Sequence, residues 1–169
     1  MDGHSDEQLL PMTIMDGMIL LIGCAVSAWL VHSFGTSEYV QLRHPRDWVD
    51  WLVLTAAIPY GPTVVCPVLL GRQFARGRGR RLFPGEIAWL VIALELLPFG
   101  LFGPTALAGW YMDVWLPWGS PPLVIVCALA AWLLHVRTGQ PRFWLHRLGL
   151  AAVTAQCLPA GIGMYGWFQ

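Results

Sequence analysis

The sequence contains no lysine, and charged residues of either sign are scarce. Its ten basic residues are all arginine, and aspartate and glutamate together also number ten, so the formal net charge is zero. Only 12% of the chain is charged, roughly half the content of a typical soluble domain, while 56% is hydrophobic. A soluble fold of 169 residues cannot bury so much apolar surface, and a neutral chain has no overall field that attracts nucleic acid. We therefore predict an integral membrane protein without a nucleic-acid partner.

Motifs of known chemistry are also missing from the sequence. No G-x-S-x-G, H-E-x-x-H or P-loop pattern occurs, and the four cysteines form no C-x-x-C pair. The five histidines fall at predicted helix ends, in a loop or in the N-terminal tail, so no facing pair lies deep enough to hold a haem. We predict no disulfide, no metal site and no catalytic residue, and the identity of any cofactor stays open.

Five apolar stretches make up most of the chain: Met12–Phe34, Trp48–Leu70, Ile87–Ala108, Leu123–Val136 and Leu148–Phe168. About 20 apolar residues in a helix, at 1.5 Å each, match a hydrocarbon core of roughly 30 Å. The loops between the stretches are too short for a second domain. The predicted fold is a single all-α domain spanning residues 1–169, a bundle of five transmembrane helices. The fourth stretch is the shortest, so four crossings result if it only re-enters the membrane.

The arginines are distributed unevenly among the loops. Eight follow the second and fourth stretches, whereas only Arg43 and Arg46 follow the first. Short loops rich in arginine stay in the cytoplasm. The pattern predicts a cytoplasmic N-terminus and an outer C-terminus, in an inner or plasma membrane.

The loop after the second stretch carries five arginines and is rich in glycine. Each basic residue near an anionic membrane surface adds roughly 1 kcal/mol of attraction. Beyond orienting the protein, this loop is therefore predicted to contact anionic lipid headgroups. The predicted contact residues are Arg72, Arg76, Arg78, Arg80 and Arg81.

The second stretch contains two prolines close to its middle, Pro59 and Pro62. Each proline removes a backbone donor and clashes with the preceding turn, so we predict that this helix is broken there. Glu95 is the only ionisable residue near the middle of any stretch. Its depth matches that of Tyr60 on the antiparallel second helix, and the Tyr60 hydroxyl is one possible partner. Glu95 is either a structural pin between helices or part of a proton or ion path.

Two acidic residues closer to the membrane surfaces extend the predicted proton or ion path. Asp16 lies near the inner end of the first stretch and Asp50 near the outer end of the second. Both suit helix ends exposed to water, but with Glu95 they also occupy three depths along a possible proton path.

The inner ends of the last two helices carry His135 and His146 beside several arginines. A cluster of interfacial cations explains this composition better than a metal site, because no cysteine or acid stands nearby as a third ligand. Small residues recur along the last stretch, from Gly149 to Gly166, and permit close helix contact within the bundle or with a partner.

Three functions are compatible with these features. The first is a non-catalytic membrane subunit, or a protein that binds lipids or small molecules, working in a homo-oligomer or with other membrane subunits. The second is a small transporter or proton-conducting protein that uses Glu95 and the broken helix. The third is a lipid-modifying membrane enzyme that uses the inner histidines and arginines, and it requires a substrate-sized cleft at His135 and His146.

Overall fold

The computed structural model describes residues 11–35, 48–77, 82–102, 119–138 and 144–168. All regular structure in these ranges is helical, which confirms the predicted all-α bundle. The six helices are α1 (Ile14–Gly35), α2 (Trp48–Val64), α3 (Cys66–Ala75), α4 (Pro84–Phe102), α5 (Ser120–Thr138) and α6 (Trp144–Gly166). Residues 103–108 of the predicted third span lie outside the described residues.

Four helical segments in these ranges are long and apolar enough to cross a membrane: Ile14–Phe34, Asp50–Ala75, Ser120–Arg137 and Trp144–Gly166. Between them lies the apolar helix α4, which packs against α2, α5 and α6. The shortness of the fourth stretch had suggested a re-entrant segment. Helix α5 is longer than that stretch, with 19 residues, and is itself one of the four.

Acidic residues fix the starts of two helices. Thr13 precedes α1, and its backbone N–H donates to Asp16 Oδ2 at 2.8 Å while the Asp16 N–H donates back to Thr13 Oγ1 at 3.3 Å. At the start of α4, the Phe83 N–H donates to Glu86 Oε2 at 3.0 Å. The first arrangement is a capping box, in which the residue before the helix and its third residue bond to each other's N–H groups. Glu86 makes only one of the two bonds, because the Phe83 side chain cannot accept one.

The second span is interrupted at Val65, and the predicted break at Pro59 and Pro62 is wrong in position. Helix α2 continues through both prolines, and α3 begins at Cys66. The interruption precedes Pro67, which has no N–H for the Thr63 carbonyl and whose ring crowds that carbonyl. The break is narrow, because Val65 still donates to the Gly61 carbonyl at 3.3 Å and accepts from Leu69 N–H at 3.1 Å.

Helix α6 is the centre of the bundle and contacts α2, α4 and α5. Helix α1 packs mainly along α2 at the periphery, with 22% of its spanning window buried against 50% for the segment Asp50–Ala75. The fully buried core includes one large aromatic from α4, Trp89, and a second, Phe99, whose ring lies 5.3 Å from that of Phe34 on α1.

One end of the bundle collects every arginine that the structure describes: Arg72, Arg76, Arg137 and Arg147. Contacts of Asp16 with α3 place the start of α1 beside the end of α3. His146 joins the start of α6 to the start of α4 and the end of α5. The opposite end of α6 meets the start of α2, where Gly166 contacts the Trp48 ring. The end that carries the four arginines, Asp16 and His146 is called the arginine end.

Backbones touch where glycines face each other. A Cβ atom on Gly61 of α2 would overlap the carbonyl of Gly23 on α1, and one on Gly149 of α6 would overlap the carbonyl of Gly85 on α4. Such contacts let membrane helices approach closely and gain van der Waals energy. The predicted small-residue face of α6 is thus partly used inside the bundle, since Gly149, Ala160, Gly163 and Gly166 are buried there.

Candidate functional site

Asp16 is the centre of a buried ionic cluster at the arginine end. Its side chain is fully buried, and Oδ1 accepts from Arg72 Nε at 3.0 Å. The other oxygen, Oδ2, accepts from Thr13 Oγ1 at 2.8 Å, Gln73 Nε2 at 3.3 Å and Arg76 Nη1 at 3.5 Å. The side-chain amide of Gln73 is fixed in this orientation, because its oxygen would repel the carboxylate. Asp16 therefore ties the start of α1 to the end of α3.

The same geometry gives two of the predicted lipid-binding arginines a partner within the protein. Arg72 and Arg76 are four residues apart on one face and bind the two oxygens of a single carboxylate. Arg78, Arg80 and Arg81 lie outside the described residues. Contact of the five arginines with anionic lipid stays a prediction.

The region around Pro59 and Pro62 is covered by neighbouring helices. The Gly61 N–H donates to Ser27 Oγ on α1 at 2.8 Å, and Thr63 Oγ1 donates to the Pro59 carbonyl at 2.7 Å. The Tyr60 hydroxyl donates to the Leu97 carbonyl of α4 at 3.3 Å, two residues beyond Glu95. Tyr60 therefore reaches α4 close to the predicted depth, and its hydroxyl there contacts the backbone.

Glu95 lies at the edge of the buried face of α4 and is half-buried. Asp50 is buried in the first turn of α2, and Asp16 is bound to two arginines at the arginine end. A proton path through these three acids stays a prediction.

His135 on α5 and His146 on α6 form a close pair of titratable side chains on neighbouring helices. His135 Nδ1 lies 2.8 Å from His146 Nε2, and His146 is fully buried while His135 is 9% exposed. The Gly85 N–H donates to His146 Nδ1 at 3.1 Å. Sequence reasoning treated both residues as interfacial cations and missed this contact. The signal was present, since each histidine lies within a turn of the short connection that joins two antiparallel helices.

In the neutral pair, the hydrogen-bond chain fixes the tautomer of each ring. A backbone N–H only donates, so Nδ1 of His146 is an acceptor and, in the neutral ring, Nε2 carries the proton. His146 Nε2 then donates to His135 Nδ1, which leaves the proton of His135 on Nε2. With His146 enclosed and both of its nitrogens bonded, the pair connects α4, α5 and α6.

A further polar contact crosses the core between α2 and α6. Gln156 Nε2 donates to Thr63 Oγ1 at 3.1 Å, and that hydroxyl in turn donates to the Pro59 carbonyl. Gln156 also lines a cavity of about 10 Å³ with Ser120 and Pro159, large enough for about one water molecule.

Neither a metal centre nor a disulfide is formed by the residues described. The four thiols are free, and no three histidine, cysteine or acidic side chains within the described ranges lie close enough to hold a metal ion. Comparison of the chain with protein-family models, with curated proteins and with solved structures found no match. A functional assignment for this chain therefore rests on the geometry of its structure alone.

Proposed function

We propose that this chain is a non-catalytic integral membrane subunit that binds lipids or small molecules and works in an oligomer or larger complex. The observation that supports this function best is the use of buried polar side chains as connections between helices. The connections are Asp16 with Arg72, Ser27 with Gly61, Tyr60 with Leu97, Thr63 with Gln156, His135 with His146, and His146 with Gly85.

These connections support a structural role, because the carboxylate and imidazole groups that could act in catalysis are already bonded within the protein. A nucleophile or general base requires an accessible atom within hydrogen-bond reach of a substrate. The Asp16 carboxylate and both nitrogens of His146 are instead enclosed and bonded within the protein. Polar bonds between membrane helices also hold their relative positions in a solvent that offers no competing donors or acceptors.

The sides of the helix bundle expose the apolar area that such a subunit needs for contact with lipids or other subunits. Helix α1 exposes a face of large apolar side chains, and α5 exposes another. These faces suit lipid chains or the helices of a neighbouring subunit. The residues are Ile14, Met15, Met18, Leu21, Ile22 and Trp29 on α1, and Val126, Leu129, Leu133 and Val136 on α5.

The proposed orientation puts the arginine end in the cytoplasm, with the N-terminus inside and the C-terminus outside, in an inner or plasma membrane. Its support is the clustering of the described arginines at one end of the bundle, because arginine-rich segments next to spans are retained in the cytoplasm. Accessibility of an N-terminal tag to a protease in sealed, right-side-out vesicles tests it. A tag digested from the outside contradicts the orientation.

Native mass spectrometry of the full chain released from lipid nanodiscs tests the proposed function. We expect oligomers, or complexes that retain lipid or a small molecule. A spectrum with bare monomers alone contradicts the proposal. The exposed thiol of Cys24 on α1 provides a second readout, since copies that meet through α1 should form an oxidative cross-link that Cys24→Ser removes.

The alternative function is a small transporter or proton-conducting protein that uses Glu95. The half-buried position of Glu95 in the middle of α4 favours it, because a carboxyl at that depth is costly unless it serves a path or a partner. Proton flux into liposomes should then disappear in Glu95→Gln, with the yield of folded protein unchanged. Equal flux in the two proteins removes Glu95 from any transport mechanism.

A further inference from the structure

The arginines that bind Asp16 also present donors to the outside of the bundle. The carboxylate is fully buried, whereas the Arg72 and Arg76 side chains are 34% and 28% exposed. Arg72 uses Nε for Asp16, and Arg76 uses Nη1 for Asp16 and, at 3.5 Å, for the Pro11 carbonyl. Within the described residues, the other terminal nitrogens of the two guanidinium groups make no hydrogen bond to the protein.

The position and charge of the cluster suit an anion. Two arginines and one aspartate leave a net charge of +1 (2 − 1). Arg72 lies in the last turn of α3, and Arg76 directly follows the spanning segment Asp50–Ala75. In a membrane, the exposed guanidinium edges therefore lie at headgroup level. Guanidinium groups bind phosphate through paired, directional N–H donors.

We propose that Arg72 and Arg76 form a binding site for a phosphate group, with Asp16 as the residue that positions them. The phosphate belongs either to an anionic lipid headgroup or to a soluble phosphate. Asp16 holds the two side chains apart on its two oxygens and lowers the entropy that each guanidinium loses on binding. The inference rests on the proposed membrane location and lipid binding, but it adds a defined site with a defined ligand chemistry.

The variant Asp16→Asn distinguishes a positioned phosphate site from a general electrostatic attraction of anions. Removing the carboxylate raises the net charge of the cluster from +1 to +2, so attraction alone predicts stronger binding of an anion. Loss of positioning predicts weaker binding. We expect the second result, a loss of about fivefold in selective retention of anionic lipid, which corresponds to one basic residue's contribution.

The experiment uses the full chain in nanodiscs of equal parts phosphatidylcholine and phosphatidylglycerol, with bound lipids identified by native mass spectrometry. Arg72→Lys keeps the charge and removes the Nε donor, so it should also reduce phosphatidylglycerol retention. Arg147→Lys makes the same charge-conserving exchange at an exposed arginine of the same end and is the matched control, which should retain most of the lipid. If Asp16→Asn does not fold, the comparison of Arg72→Lys with wild type decides.

A second arm distinguishes the source of the phosphate. Inorganic phosphate is added to protein in phosphatidylcholine nanodiscs, and the thermal midpoint is measured for wild type and Arg72→Lys. A rise specific to wild type, without preference for phosphatidylglycerol, assigns a soluble phosphate. Where wild type retains phosphatidylglycerol selectively, unchanged or greater retention in folded Asp16→Asn or Arg72→Lys overturns the site. A wild type that responds to neither ligand also overturns it. The spectra also report oligomers and other bound lipids, so the site can fail while the proposed function stands.

Discussion

His146 Nε2 lies 2.8 Å from His135 Nδ1, and the remaining nitrogen of His146 accepts the Gly85 N–H. The bonds connect three helices at the arginine end. Each His146 nitrogen has one partner of fixed type, so the ring can neither rotate nor exchange tautomers without breaking a bond. The imidazole thereby acts as a rigid spacer beside the close backbone contact between Gly85 and Gly149.

Replacing His146 with alanine should destabilise the bundle by about 1 to 3 kcal/mol, since it leaves the buried Gly85 N–H and His135 Nδ1 without their partner. The free energy of unfolding can be measured by titration with denaturing detergent. Arg137→Ala, which changes an exposed side chain in the last turn of α5, is the control and should shift stability by no more than about 0.5 kcal/mol. Equal effects of the two substitutions refute the prediction.

Gly61→Ala should separate α1 from α2, because the added Cβ overlaps the Gly23 carbonyl, a backbone atom that cannot move aside alone. We expect a loss of about 1 to 3 kcal/mol, typical of overpacking. Gly71→Ala on α3 is the matched control, since nothing lies within 4 Å of its added Cβ. It should be neutral or stabilising by up to about 1 kcal/mol. If the two substitutions behave alike, the close α1–α2 contact is not present.

The bond between Thr63 and Gln156 should appear as a coupling in a double-mutant cycle. Thr63→Val and Gln156→Leu each remove one partner, and we expect a coupling free energy of about 0.6 kcal/mol, with an upper value of about 1.7 kcal/mol. Thr55→Val gives the control cycle with Gln156→Leu, because the Thr55 hydroxyl bonds within α2 to Trp51 and Leu52. A coupling near zero in the first cycle shows that the two helices do not share this bond.

The lengths of the apolar stretches predicted the limits of the helices well, but the polar contacts between the helices poorly. The ends of α1 and α6 fall within four residues of the predicted limits, because hydrophobic length and capping are local properties. The interruption of the second span was predicted at the wrong proline, since the effect of Pro59 depends on the Thr63 hydroxyl and on packing against α1. Spacing along the chain does not contain that information.

The hydrogen-bond partners of side chains on different helices were the feature least predictable from the sequence. Asp16 and Arg72 are 56 residues apart, and each alone reads as a solvent-exposed charge at a helix end. The two histidines were predicted at one face of the membrane, but their contact depends on how α5 and α6 are rotated, and on α6 this goes with the close approach of Gly149 to Gly85. Such rotations depend on tertiary packing, which periodicity alone does not determine.

The contact between Gly23 and Gly61 has a consequence for biosynthesis. It joins two hydrophobic segments that are consecutive in the chain and leave the ribosome before α4, and the bond from Gly61 to Ser27 closes a loop of only 34 residues. Both docking surfaces are thus complete before α4 is translated. Chains fold from the N-terminus during synthesis. The α1–α2 hairpin can accordingly assemble as a unit in the translocation machinery, and α4, α5 and α6 then add to its α2 side.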